Sequence, residues 1–331
     1  MRCRGNFLMR RASIAIAAFA IAALTARAEV HDTVRRSFNV GDGGTIHLDA
    51  DSGDVHVTSS GSGNVSVEIV RKGRDADDLK RNEATFEQKG NDVYVKARDA
   101  EHSAFGYRWH ISWSSSDITY TIHVPSRYNL DLHTSGGDVT SGDVGGNADL
   151  HTSGGDVKTG RVSGNLVARS SGGDITIGGA GGRIDAHTSG GDIEVRDAAS
   201  SVEVKSSGGS IDIRRAVGTV NAHTSGGGIR IEDALDTVEA VTSGGSINAR
   251  FSRQPRGDSR LSTSGGGVTV ALAANIGAEL DAHASGGGVH SDVPITIQGS
   301  HDEDSLVGKI GGGGPRLVLR TSGGGITIRR E

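Results

Sequence analysis

A column of aspartates recurs along the chain every 18 residues. Its members are Asp138, Asp156, Asp174 and Asp192. If the repeats stack as strands, neighbouring carboxylates lie about 5 Å apart, and a cation would be attracted between them. Calcium-binding β-rolls, however, need an Asp where this chain has Ile177. In the next three repeats the equivalent position is occupied by Ser210, Gly228 and Ser246 instead of aspartate. We expect these aspartates to accept local turn hydrogen bonds and to face solvent, while cation binding stays open.

Histidines form a second column, and paired imidazoles can bind metal or respond to pH. The column contains His133, His151, His187, His223 and His283, interrupted by Arg169, Lys205 and Val241. Only the first two histidines lie on neighbouring repeats, because the others are two or more repeats apart, about 10 Å or more. We interpret the column as an exposed strand-end position that tolerates polar residues.

Hydroxyl groups form a third column. It consists of Thr134, Thr152, Ser170, Thr188, Ser206, Thr224 and Thr242. A flat threonine face would suit ice or a crystalline polysaccharide, but such a face usually needs two threonine columns. With a single column beside a turn, we expect these hydroxyls to bond each other or the adjacent Gly-Gly turn.

None of the columns has the arrangement of a catalytic site. β-Helical enzymes that cleave polysaccharides need clustered carboxylates in a cleft, whereas these acids are spread one per repeat without long loops. Serine and histidine occur as repeat positions, and no helix pattern follows the glycines as a phosphate-binding loop requires. The sequence therefore predicts a protein that is not an enzyme, with no catalytic, cofactor-binding or metal-ligating residue.

The three columns belong to a repeat marked by Ser-Gly-Gly. The marker serines are Ser135, Ser153, Ser171, Ser189, Ser207, Ser225 and Ser243, followed at wider intervals by Ser264, Ser285 and Ser322. Apolar residues lie four and thirteen positions after a marker, as Ile175 and Ile184 do. A second apolar or small residue often follows two positions later, which predicts two short strands per repeat. We expect the corner glycines to supply positive φ.

Stacked repeats of this kind predict an all-β fold, a single-stranded, β-helix-like solenoid with about 18 residues per turn and a narrow core. Ten markers imply a rod on the order of 50 Å long. A left-handed coil of hexapeptides needs an apolar residue every six positions, and Ile175, Gly181 and His187 break that rule. The pattern favours a two-faced cross-section; a three-faced one and the handedness stay open.

The N-terminus has the pattern of a secretory signal peptide. A basic start precedes an apolar run at residues 12–24, and a small-x-small motif ends at Ala28, where cleavage is expected. Removal leaves 30 Lys and Arg against 40 Asp and Glu, a formal charge of −10, because the segment carries five arginines and no acid. That charge disfavours nucleic acid as a partner. Cys3 leaves with the segment, and no later stretch is apolar enough for a membrane helix. A buried N-terminal helix is the alternative.

Three regions follow from these patterns: a signal peptide at 1–28, an N-terminal β region and cap at 29–128, and the solenoid repeat at 129–331. Alternating apolar residues at 118–124 predict a strand that ends at Pro125. A cap would shield the backbone groups at the end of the rod. Residues 290–316 break the period, and we expect an excursion before a last strand at 326–328.

The order of these features resembles the bacterial putative-adhesin family of β-strand-repeat proteins, a family of unknown function. The resemblance rests on Ile-His-Val-Pro at 122–125, on Leu-Asp-Leu-His-Thr-Ser-Gly-Gly-Asp-Val at 130–139, and on serial Thr-Ser-Gly-Gly motifs up to residue 326. It covers roughly residues 37–330. The resemblance implies the repeat fold and, through the family's name, adhesion; it transfers no catalytic residue.

We therefore expect an exported, non-enzymatic solenoid that acts as a structural or adhesin-like binding protein of the cell envelope, periplasmic or at the cell surface. Its ligand would be an unidentified protein or polysaccharide, bound through weak contacts that repeat along the rod. One alternative is a periplasmic scaffold or sensor accessory that binds a protein through Tyr107, Trp109 and Trp113, which otherwise pack in the cap. Another is a polysaccharide-processing β-helix enzyme.

Overall fold

A computed structural model describes residues 30–61, 63–73, 82–99, 117–298 and 302–331. The first strands are β1 (Val30–Asn39), β2 (Thr45–Ala50), β3 (Asp54–Ser60), β4 (Asn64–Gly73), β5 (Asn82–Lys89), β6 (Asp92–Asp99), β7 (Asp117–Pro125), β8 (Asn129–Thr134), β9 (Val139–Ser141), β10 (Ala148–His151), β11 (Val157–Val162), β12 (Leu166–Arg169), β13 (Ile175–Ala180) and β14 (Ile184–Thr188). The remaining strands are β15 (Ile193–Ala198), β16 (Val202–Ser206), β17 (Ile211–Ala216), β18 (Val220–Thr224), β19 (Ile229–Ala234), β20 (Val238–Thr242), β21 (Ile247–Phe251), β22 (Ser259–Thr263), β23 (Val268–Leu272), β24 (Ala278–Ala284), β25 (Val289–Ser291), β26 (Ile295–Ile297), β27 (Ser305–Ile310), β28 (Arg316–Thr321) and β29 (Ile326–Arg330). The described part of the chain holds no helix of the length and apolarity that a membrane crossing would need.

Each turn of the repeat contributes one strand to each of two sheets. Sheet A has 14 strands in the order β1-β4-β7-β3-β9-β11-β13-β15-β17-β19-β21-β23-β29-β25. Sheet B has 15 strands in the order β26-β27-β24-β28-β22-β20-β18-β16-β14-β12-β10-β8-β2-β6-β5. Ile193 pairs in parallel with Ile175 on one side and with Ile211 on the other, as stacked 18-residue repeats require. The predicted all-β solenoid with two strands per turn is confirmed.

Alternation of side chains places the apolar columns between the sheets. In β13, Ile175 and Ile177 are fully buried whereas Thr176 is half-buried. The buried apolar residues form one continuous cluster from Val40 to Ile328. Each Val or Ile removed from water contributes roughly 1.5–3 kcal/mol, so a narrow core stabilises the rod through repetition rather than through large side chains.

The marker glycines are required for close packing of the turns, not for positive φ. The described glycines with positive φ are Gly43, Gly53, Gly90, Gly311, Gly313 and Gly314, and none of them belongs to a Ser-Gly-Gly marker. A Cβ atom on Gly173 would lie 2.2 Å from the carbonyl oxygen of Gly155 in the preceding turn. On Gly172 the nearest atom would be 3.5 Å away. The expectation of positive φ was therefore wrong, and only the second glycine of this marker is sterically obligatory.

Near the N-terminal end of the rod, the turn formed by β2 and β3 is paired with a neighbouring turn on each side. Strands β2 and β3 pair with β8 and β9 on one side and with β6 and β7 on the other. Antiparallel strands β1, β4 and β5 extend the two sheets beyond that point. Because Ile46 pairs with Leu130 and Val55 with Val139, both sheets continue across residue 128. A domain boundary at that residue stays a prediction.

The C-terminal end repeats this arrangement. The last strand is β29, as expected, but it does not end the rod: β28 and β29 lie between the Ser264 turn (β22, β23) and the Ser285 turn (β24, β25). The predicted excursion at 290–316 contains strands of its own, since β27 pairs antiparallel with β24 and β26 pairs with β27. The chain thus leaves the rod, covers its end and returns to an interior position.

Candidate functional site

The aspartate column connects consecutive turns through backbone amides. The Asp156 amide donates to Asp138 Oδ1 at 2.8 Å, and the Asp174 and Asp192 amides continue the pattern at the same distance. The predicted hydrogen bonds within a local turn are therefore replaced by bonds between turns. Within the described residues, no three His, Cys, Asp or Glu side chains converge to hold a metal ion. The column's cation affinity stays untested.

The threonine and serine column is buried at the corner of each turn. Thr152 Oγ1 donates to the carbonyl oxygen of Gly137 at 2.7 Å and accepts from the Gly155 amide at 3.3 Å. Thr188 makes the equivalent contacts with Gly173 and Gly191. An exposed threonine face for ice or crystalline polysaccharide is therefore wrong, and the hydroxyls bond the Gly-Gly turn as expected.

A second corner carries an asparagine ladder that we did not predict. Asn129 Oδ1 accepts from the Asn147 amide at 2.8 Å, and Asn147 Oδ1 accepts from the Asn165 amide at 2.8 Å. Asn165 Oδ1 then accepts from the Arg183 amide at 2.9 Å. The 18-residue spacing of the three asparagines was the signal that identifies them. Like the aspartates, they hold the turns together.

On the outer face of sheet B, the histidine column lies beside a column of acids. His133 Nε2 is 2.9 Å from Asp131 Oδ1, and His151 Nε2 is 2.6 Å from Asp149 Oδ1. The rings of His133 and His151 stack with centroids 4.5 Å apart, so these two histidines are neighbours, as predicted. Hydrogen bonding to His151 lowers the pKa of Asp149 despite partial burial, which raises it. His133 and His151 are therefore each paired with a carboxylate two residues earlier in the same strand.

A groove of about 560 Å³ follows the junction between sheet B and the Ser-Gly-Gly turns, and we name it the corner groove. It is lined by Asp49, Ala50, Asp51, Arg98, His133, Thr134, Ser135, His151, Thr152, Ser153, Arg169, Ser170, Ser171, His187 and Ser189. Four consecutive marker serines thus face a groove that is also lined by three histidines and two arginines. These marker serines are exposed, and among the described residues their hydroxyls make no hydrogen bond.

The corner groove is polar but close to electrically balanced. Arg169 lies 3.5 Å from Asp185, and Arg98 is bonded to Asp49 at the N-terminal end of the groove. Among the described residues, no marker serine hydroxyl of the groove is hydrogen-bonded to a histidine. The lining presents hydroxyl, imidazole and guanidinium groups over several consecutive turns.

Two groups of predicted residues lie outside the described residues. Ala28, the expected cleavage site, precedes the first of them. Tyr107, Trp109 and Trp113, the expected aromatic interface, fall between β6 and β7. Their roles stay predictions.

Comparison with solved structures returns bacterial proteins of low sequence identity. A "putative adhesin" from Bacteroides fragilis is 13% identical, covers 91% of this chain and 97% of its own, and has a TM-score of 0.30. A "putative lipid binding protein" from Parabacteroides distasonis is 11% identical over 91% and 97%, with a TM-score of 0.31. A "putative cell adhesion protein" from Clostridium sporogenes is 10% identical over 92% and 100%, with a TM-score of 0.22.

A comparison with curated proteins gives no match. The family model described as Toastrack DUF4097 matches residues 44–329, which include most strands of both sheets and all ten markers. The match confirms the family resemblance inferred from the Thr-Ser-Gly-Gly motifs. The chain belongs to the Toastrack DUF4097 family.

Proposed function

We propose that this protein is an exported, non-enzymatic rod of the cell envelope that binds an extended polysaccharide along the corner groove. The observation that carries the proposal is the repetition of one exposed hydroxyl and one imidazole or guanidinium on each of four consecutive turns. Stacked turns repeat about every 4.8 Å, so a polymer with regularly spaced polar groups meets the same contacts again and again. Weak contacts then sum through multivalency.

The lining favours a sugar polymer over a protein ligand. Protein interfaces depend on buried aromatic or aliphatic anchors, and the groove residues include neither a large apolar side chain nor an aromatic one besides histidine. Serine hydroxyls, imidazoles and guanidinium groups instead offer the donors and acceptors that sugar hydroxyls require. The near balance of charges also suits a neutral or weakly charged chain.

The absence of enzymatic activity is part of the proposal. The carboxylates near the groove are engaged with basic side chains, as in the pairs Asp131–His133 and Asp149–His151. A glycosidase would need two carboxyl groups that face a sugar from opposite sides of its scissile bond. The groove therefore supports retention of a polysaccharide rather than its cleavage.

Export is supported by the sequence of residues 1–28, with cleavage after Ala28. A protein that binds envelope or surface polysaccharide would act in the periplasm or outside the cell. Analysis of the mature N-terminus from fractionated cells tests this part: a chain retained in the cytoplasm with Met1 intact would contradict it.

The binding proposal is tested by sedimentation of the full chain with a panel of envelope polysaccharides. The double variant His151→Ala/Arg169→Ala removes two side chains from the centre of the groove, and we expect at least a 10-fold loss of affinity. His223→Ala is the matched control, because it alters the same column outside the groove and should change affinity less than 2-fold. Equal losses in both variants, or no binding to any polysaccharide, would refute the proposal.

A further inference from the structure

A slot between two arginines lies on the opposite outer face, at the C-terminal part of sheet A. Ala271 pairs with Arg250 on one neighbouring strand and with Arg329 on the other. The three side chains lie on the solvent side of the sheet, and Ala271 is 6% exposed because longer side chains rise on both sides of it. Two interstrand spacings separate the backbones of the two arginines, about 10 Å. We name this depression the arginine slot.

The arginine slot has the volume and the polar groups of a small binding site. It measures about 480 Å³ and is lined by Arg230, Ile231, Glu232, Asn248, Ala249, Arg250, Thr269, Ala271 and Arg329. Asn248 pairs with Thr269 and Thr269 with Thr327, so an amide and two hydroxyls lie two residues along the strands from the arginine row, on the same face of the sheet. The floor is formed by small side chains, which leaves room for a ligand group between the guanidinium groups.

The charges of the arginine slot are unbalanced. Arg230 is paired with Glu232 at 3.0 Å, while Arg250 lies 3.1 Å from Glu331 and donates from Nε to the Glu232 carbonyl oxygen at 2.6 Å. Among the described residues, Arg329 has neither an ion pair nor a side-chain hydrogen bond, and the nearby Asp292 is held by His290 at 2.9 Å. The lining contains three arginines and one glutamate, and with Glu331 beside Arg250 the excess positive charge of the slot comes from Arg329, in a chain whose formal net charge is −5.

We propose that the arginine slot binds an oxyanion, a phosphate or carboxylate group of a ligand, between Arg250 and Arg329. The planar fork of a guanidinium group matches two oxygens of either anion, and charge-assisted bonds of this kind are stronger than neutral ones. The Glu331 carboxylate beside Arg250 is an example of the same chemistry within the chain. Because the whole protein is acidic, attraction of anions depends on this local arrangement rather than on net charge.

This site is independent of the corner groove, since the two lie on different sheets and share no residue. If the corner groove binds no polysaccharide, the arginine slot is unaffected. If the arginine slot binds no anion, the corner groove is unaffected. Failure of one proposal therefore leaves the other intact.

The test uses the full chain labelled with nitrogen-15, at about 0.01 M ionic strength, where screening is weak. Inorganic phosphate and trigalacturonate are titrated separately, and the arginine side-chain signals report binding. We expect saturable shifts, and a dissociation constant about 10-fold higher in Arg329→Gln. Ala271→Leu fills the slot and should have a similar effect without removing a charge.

Arg214→Gln is the matched control, because Arg214 is an exposed arginine of the same sheet outside the slot. Its affinity should stay within 2-fold of the original. Binding of phosphate alone identifies a phosphate ligand, binding of trigalacturonate alone identifies a carboxylate ligand, and both outcomes support the site. Absence of saturable binding to either probe, or an equal loss in Arg214→Gln, overturns the proposal.

Discussion

Ile326 pairs in register with Val268 in sheet A, although the complete Ser285 turn lies between them in the sequence. That turn is placed on the far side of β29, where Val289 pairs with Ile326. The last turn is therefore paired on both sides, as is the turn of β2 and β3 at the other end. A solenoid is vulnerable at its ends, where strands lack a partner. At the C-terminal end the edge strands are β25 and β26, which precede β28 and β29 in the sequence, whereas the first described strand, β1, forms an edge at the N-terminal end.

A first prediction concerns the packing of this interior C-terminal turn. Leu319 in β28 is fully buried and pairs with Leu261 and Ala282 on either side. Leu319→Ala should lower the free energy of unfolding by about 2–5 kcal/mol, because it leaves a cavity between two turns. Val318→Ala on the outer face of the same strand should cost less than about 1 kcal/mol. Urea unfolding followed by circular dichroism measures both, and equal costs would contradict the assigned position of β28.

A second prediction separates the two glycines of one marker. Gly173→Ala places a Cβ atom 2.2 Å from a backbone oxygen of the preceding turn, so we expect a loss of about 1–3 kcal/mol. Gly172→Ala meets its nearest atom at 3.5 Å and should be neutral or stabilise by about 0.4–1 kcal/mol through the unfolded chain. Thermal unfolding compares the two variants. A larger loss of stability in Gly172→Ala than in Gly173→Ala would show that glycine is needed here for its backbone conformation and not for close contact between turns.

The sequence was sufficient to predict which residues form the core of the rod. It was not sufficient to predict the order in which the turns stack at its ends. Columns such as Ile175, Ile193 and Ile211 are fixed by an 18-residue period, because identical repeats can only stack in register. The Ser322 turn carries the same motif as the others, so its sequence does not encode which turns adjoin it. Its position depends on the excursion that precedes it, where Gly311 and Gly313 adopt positive φ.

The sequence predicted the histidine column of the candidate site but not the side chains that surround it on the folded surface. The histidine column was identified from its spacing, and the neighbouring acids at Asp131 and Asp149 were not connected with it. Residues two apart in a strand face the same side, so this pairing was within reach of the pattern. The arginine slot could not be predicted from the pattern, because Arg329 lies beside Ala271 only when β29 pairs with β23, which is distant in the sequence.

A third prediction concerns the aspartate ladder. Asp174 Oδ1 accepts from the Asp192 amide at 2.8 Å, while the Asp174 amide donates to Asp156. Asp174→Ala leaves the Asp192 amide without its acceptor and should lower the free energy of unfolding by about 1.5–3 kcal/mol. Asp174→Asn retains an acceptor oxygen and should cost clearly less. If calcium stabilises the original chain but not Asp174→Asn, the ladder binds a cation in addition to joining the turns.

The last prediction concerns pH and the contact between β28 and β24. Arg320 Nη2 donates to Asp281 Oδ2 at 2.6 Å, and Arg316 lies 3.6 Å from the same oxygen. The hydrogen bond from Arg320 lowers the pKa of Asp281, against an opposing effect of partial burial. A carboxyl group whose pKa is lower in the folded protein stabilises it above its unfolded pKa of about 3.9 and loses that contribution as the pH falls towards the folded value.

The difference in stability between the original chain and Asp281→Asn should therefore be largest near neutral pH, at about 1–2 kcal/mol, and should shrink below about pH 4. Glu279→Gln is the control, because Glu279 lies on the same strand with its side chain 53% exposed and 4.0 Å from Lys309. It should change stability little at either pH. Urea unfolding at both pH values measures the effect. A difference that stays constant into acid would mean that Asp281 supports the returning turn through shape rather than through its charge.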